Sequence, residues 1–128
     1  NEDVSGLQEF IDSIPVTGES LREILTAFKS QGLNCYVYGA STKGNTMLQI
    51  WNLGSLFDGA AEIHPDKFGR YTVGTGIKIV PEVEAKQRAN VFFVPNFGFK
   101  NMFITKEKEW LAAGNFMIFA MPVVEVVK

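Results

Sequence analysis

Apolar positions in the first quarter of the chain recur at helical spacing. Leu7, Phe10, Ile11 and Ile14 fall at i, i+3, i+4 and i+7, and Leu21, Ile24, Leu25 and Phe28 supply a second stripe. Each stripe predicts a helix. Ser5 with Gln8 and Ser20 with Glu23 have capping-box spacing, Pro15 ends the first helix and Gly32 stops the second. Residues 1–32 are therefore expected to be an N-terminal helical segment of two helices joined by the short link PVTGE. From residue 35 the pattern shortens. CYVYG (35–39), AAEI (60–63), GIKIV (76–80) and VFFVP (91–95) read as strands, and FMIFAM and VVEVV close the chain as two more. Between them, Met47, Leu48 and Trp51 mark the inner face of a helix after the 39–45 loop. Pro81 suits the first turn of a short helix running to Ala89. A further helix from Asn101 to Ala113 turns Phe103, Trp110 and Leu111 inward and is capped by Gly114. Strand, helix and strand over some thirty residues make a βαβ unit with a right-handed crossover. The alternation predicts a three-layer α/β sandwich on a mostly parallel sheet, with residues 1–128 as one domain.

Composition narrows the class of protein. Of 128 residues, 46% are hydrophobic and 20% charged, which fits a folded chain with a core. The formal net charge of -2 argues against a nucleic-acid partner. The longest apolar stretch, FMIFAMPVVEVV, is interrupted by Pro122 and Glu125 and is too short for a membrane span of ~20 residues. Cys35, the one cysteine, lies in a predicted strand, so an internal disulfide and a Cys-rich zinc site are both excluded; a reducing, cytoplasmic setting is expected. The first residue is Asn1, not methionine, which suggests a piece of something longer.

The candidate chemistry lies in YGASTKGNTMLQ (38–49), where a strand runs through a glycine loop into a helix. A helix N-terminus offers unpaired N–H groups and partial positive charge to an anion. Gly39 and Gly44 let backbone approach, Ser41 and Thr42 add hydroxyls, and Lys43 adds a full charge next to Asn45. The glycine spacing is that of a P-loop, but Asn45 stands where that loop needs lysine, and Lys43 falls one place early. The dinucleotide fingerprint also fails, since Ser41 stands at its second glycine. Glu62, however, ends the second strand, where that fold keeps its ribose-binding acid. The loop is also poor in glycine for a complete methyl-donor site. Two readings of the loop stand level: a phosphate cradle, and a tight turn capped by Ser41 or Thr42. Elsewhere, His64 reads as a surface residue, GTG (74–76) as a turn, and TKEKEW (105–110) as the solvated face of a helix. Phe97 and Phe99 in PNFGF lie at a strand end, where a base or sugar could stack on them.

YGASTKGNTMLQ, HPDKFGRYTVGTGIKI and GNFMIFAMPVVEVV together resemble the C-terminal domain of S-adenosylmethionine-dependent sugar C-methyltransferases, over about Leu7 to Val127. The resemblance implies a Rossmann-like domain that follows a zinc-binding N-terminal domain and a central methyl-donor domain. It implies a nucleotide-linked deoxysugar, typically a keto sugar, as substrate, held between the central and C-terminal parts, with the catalytic base in the central part. S-adenosylmethionine and zinc are then expected in those other domains and no cofactor in this one. The catalytic domain, of the same chain or a partner, is the expected protein partner, and methyl transfer by this part alone is not expected. Gly39, Ser41, Thr42, Lys43, Gly44, Asn45, Glu62 and Phe97 become the candidate substrate-binding residues. The sequence departs from the family at Val73 and Lys78, where proline is usual, at His64, which replaces an asparagine, and at Phe97 to Phe99, where Trp-His-Phe is frequent. Two other readings remain: a free-standing dinucleotide-binding module, and a structural or interaction domain.

Overall fold

Strand β1 (Cys35–Tyr38) is the middle of the molecule, paired in parallel with β2 (Gly59–Glu62) on one side and β4 (Val91–Phe93) on the other. The computed structural model describes residues 17–95, 97–120 and 124–128, with the side chains of all of these except Thr42, Lys43 and Phe97. Strand β3 (Ile79–Pro81) lies beyond β2, and β5 (Phe116–Phe119) and β6 (Glu125–Val127) lie beyond β4, in the order β3-β2-β1-β4-β5-β6. All neighbours are parallel except β6, which returns antiparallel on β5. The fold is thus mixed α/β around a mostly parallel six-stranded sheet.

Alternation along the strands divides the core. Cys35, Val37, Ala60, Val91, Phe93 and Ile118 face one side, packing with Leu21 and Leu25 of α1 (residues 17–30) and Met47, Leu48 and Trp51 of α2 (Thr42–Ile50) and its C-cap. Tyr36, Ala61, Phe92, Met117 and Phe119 face the other, with Ala85 of α3 (Glu82–Arg88) and Leu111 of α5 (Lys108–Ala112). Phe103 of α4 (Lys100–Lys106) packs at the margin of that second cluster. Buried on both faces, the central strands need the continuous apolar runs seen in the sequence.

Four expectations need adjustment. Helix α1 is already helical at Thr17, so Ser20 and Glu23 lie within it and form no N-terminal capping box. Gly18, which looked like part of a link, is in the helix because it packs under Trp51: a Cβ there would sit 2.6 Å from Trp51 Cδ1. The 76–80 run gives a strand only from Ile79, because Gly76 turns the chain (φ 64) and Lys78 bridges antiparallel to Tyr71. Pro81 ends that strand and is the N-cap of α3. The 101–113 helix is two, α4 and α5, broken at Glu107 (φ -101, ψ 25). The helix expected around Leu7 to Ile14 lies outside the described residues.

Candidate functional site

In an open α/β sheet the loops after neighbouring strands diverge where the strand order reverses, leaving a crevice at the carboxyl ends. Here that point lies between β1 and β4. A cleft of about 720 Å³ occupies this end, lined by Tyr38, Gly39 and Ser41 after β1, by Ala61 to His64 after β2, and by Pro95 after β4. Glu82, Phe103 and Lys106, from α3 and α4, close the far wall.

The β1–α2 loop is built by local chemistry. Gly39 turns with φ 93, a left-handed value that side-chain-bearing residues rarely adopt. Ser41 is extended (φ -88, ψ 154) and caps α2, its Oγ accepting from the Gly44 amide at 3.1 Å. The Asn45 amide donates to the Ser41 carbonyl at 3.0 Å. The amides of Thr42 and Lys43, in the first turn, are those that helix geometry leaves without an intrahelical acceptor. Gly44 serves close approach: a Cβ there would lie 2.5 Å from Pro95 Cγ. One glycine therefore makes the turn and the other seats the helix against the end of β4.

Asn45 faces away from that role. Its Nδ2 donates to the Val73 carbonyl at 2.7 Å and its Oδ1 accepts from the Thr75 hydroxyl. The side chain ties α2 to the 72–76 turn, so YGASTKGNTMLQ and HPDKFGRYTVGTGIKI hold each other in place.

Glu62 is buried at the end of β2, and its Oε1 accepts from the His64 amide at 3.1 Å. The exposed His64 ring stands 4.0 Å from the same oxygen, at the mouth of the cleft. Of the residues singled out in the sequence, Gly39, Ser41 and Glu62 meet in the cleft, and Thr42 and Lys43 begin the helix beside it. Phe97 lies in the turn Phe97–Phe99 after β4, and Phe99 is exposed.

A linked set of charges goes unmarked by any motif. The Tyr38 hydroxyl donates to Glu107 Oε2 at 2.6 Å, and Lys86 Nζ lies 2.9 Å from Glu107 Oε1. Glu82 holds Lys86 at 3.4 Å and Lys106 at 3.7 Å, and the Lys106 ammonium lies 5.9 Å from the Tyr38 ring centroid. Burial, reinforced by the bond to Glu107, pushes the Tyr38 phenol well above its usual range. Burial draws the Lys86 ammonium down, but Glu107 and Glu82 outweigh it and the net shift is upward. Tyr38 is therefore a fixed neutral donor, not a proton shuttle. Alternating charge in TKEKEW is the one sequence signal at Lys106 and Glu107, and it suggested a solvated face. Glu107 is in fact only 4% exposed.

A family model described as the C-methyltransferase C-terminal domain matches residues 1–122. The chain belongs to that family. No curated protein matches it. A C-methyltransferase C-terminal domain is associated with methyl transfer, and the cleft is the feature of this one able to hold a small molecule. No described helix is long and apolar enough to cross a membrane.

Proposed function

We propose that this domain forms one wall of the substrate site of an S-adenosylmethionine-dependent C-methyltransferase acting on a nucleotide-linked deoxysugar, and that it is accessory to catalysis performed elsewhere. The observation that carries this reading is the cleft of about 720 Å³ at the carboxyl ends of β1, β2 and β4, in a chain of this family. Its size suits a small-molecule ligand. A diphosphate would face the Thr42 and Lys43 amides and the Lys43 ammonium, Glu62 would accept from a sugar hydroxyl, and Phe97 would stack on a ring. The strand order 3-2-1-4-5 and the helices on both faces support a Rossmann-like three-layer sandwich, read as one domain over residues 1–128. The lone cysteine supports a cytoplasmic setting.

The residues of this domain do not fit the family's cofactors. A methyl-donor loop needs more than the single glycine present before Ser41, where the backbone would approach a nucleoside. Cys35 is buried in β1, and no described group of three His, Cys, Asp or Glu side chains suits a metal ion. Both cofactors are assigned to the other domains, and no step is derived through them.

Calorimetric titration with nucleotide-sugars, nucleoside diphosphates, nicotinamide dinucleotide and S-adenosylmethionine tests this. Binding of nucleotide-sugar and diphosphate is expected. Because Glu62 ends β2, binding of the dinucleotide alone would replace this reading with a free-standing dinucleotide module. Binding of neither class would favour a structural role. In the complete enzyme, Lys43→Ala is expected to raise the substrate KM or lower kcat.

A further inference from the structure

Beside the cleft lies a second cavity of about 440 Å³, between the Pro65–Lys67 turn and α3. Pro65, Phe68, Pro81 and Val83 give it an apolar lining. The two cavities share Glu62, Ile63, Glu82 and Lys106, so they adjoin across one partition. Ile63 and Val83, 67% and 71% exposed, present large aliphatic side chains to solvent at this groove. The combined space is polar on the β1 side, apolar on the α3 side, and carries an ammonium at the junction.

Lys106 is free to act there. Its side chain is 54% exposed and its contact with Glu82 is long, at 3.7 Å. Glu82 also has Lys86 at 3.4 Å, so it keeps a cation if Lys106 turns to a ligand. The other carboxylate at the junction, Glu62, is held by the His64 amide and stands 4.0 Å from the His64 ring. Glu107 behind it is engaged by Tyr38 and Lys86. An anionic group at Lys106 therefore meets carboxylates that already have partners.

The geometry points to a two-part site: the sugar in the cleft, the diphosphate at Lys106, and the nucleobase in the groove against Phe68 and Val83. This placement rests on the nucleotide-sugar reading and adds the orientation of the ligand and the residue that meets its charge. A flat, partly apolar base gains from burial in such a groove, and an ammonium next to it fits the anionic linker.

The test is titration of the chain, followed by nuclear magnetic resonance, with inorganic pyrophosphate, uridine diphosphate and thymidine diphosphate. Lys106→Met is expected to weaken all three about tenfold. Val83→Glu, at an exposed helix position, is expected to weaken both nucleotides and leave pyrophosphate unchanged. Nucleotide shifts should appear at Ile63, Phe68 and Val83, and pyrophosphate shifts near Lys106. Nucleotide binding that ignores both substitutions would overturn the placement and leave the nucleotide-sugar reading standing. A wild-type chain that binds no nucleotide at millimolar concentration would overturn both.

Discussion

The Tyr38 hydroxyl donates to Glu107 across 2.6 Å, joining the end of the central strand to the break between α4 and α5. Glu107 also carries the Lys86 ion pair, and it is 4% exposed. Removing one member of a buried pair leaves the other charge without compensation. Glu107→Ala is expected to cost about 3 kcal/mol, and Tyr38→Phe about 1 kcal/mol. Urea unfolding measures both. A Glu107→Ala chain as stable as wild type would show that this network contributes nothing to the fold.

Alkaline pH should destabilise the protein. Burial raises the Cys35 thiol to about 11, so between its ordinary value of 9.0 and that value the folded chain holds a proton the unfolded chain has released. Stability must then fall as pH rises. Tyr38, also raised, acts with the same sign from about pH 10 upward. The raised Lys86 gives stability that is full below its unfolded value near about 10.4 and is lost above. The urea midpoint should be level near neutrality and decline above about pH 9. Cys35→Ala should delay the onset of that decline. A midpoint that holds or rises to pH 11 would contradict the burial argument.

The two loop glycines should respond to alanine for different reasons. Gly44→Ala places a Cβ against Pro95, and overpacking of that kind costs about 1–3 kcal/mol despite better helix propensity. Gly39→Ala meets no neighbour but strains a residue at φ 93, for about 1–2 kcal/mol. Pro95→Ala should relieve the first substitution and not the second. Equal rescue of both would mean that the Gly44–Pro95 contact is not the cause.

Asn45→Ala removes the tie to Val73 and Thr75. The 72–76 turn should loosen, with faster hydrogen exchange at Gly76 and Ile77, whose amides bond to Thr72. Exchange in β1 should be unaffected. If β1 exchanges faster as well, the tie supports the whole sheet and not the turn alone.

The strands were legible because buried parallel strands must be apolar throughout, and CYVY and VFF are. Gly39 and Ser41 were legible because a strand-to-helix turn and its cap require those residue types locally. The start of α1 was not, because Gly18 answers to Trp51 and not to its chain neighbours. The break at Glu107 was hidden for the same reason. Glutamate favours helices, and the partner that draws this one inward, Tyr38, is 69 residues away. Lys106 and Glu82 reach the cleft only once α3 and α4 have packed on the sheet. Whatever depends on contacts within a few residues can be read along the chain; whatever depends on a distant side chain cannot.

The pairing of β1 has a consequence for how the polypeptide is made. Cys35 finds one neighbour through β2, but its other, Val91, is synthesised only after two thirds of the chain. Until then one side of the central strand offers unpaired amides and carbonyls to any passing edge. Such non-local parallel pairing slows folding and leaves the nascent chain open to aggregation. Chains ending before β4 should therefore be a burden on chaperones and not a smaller version of this domain.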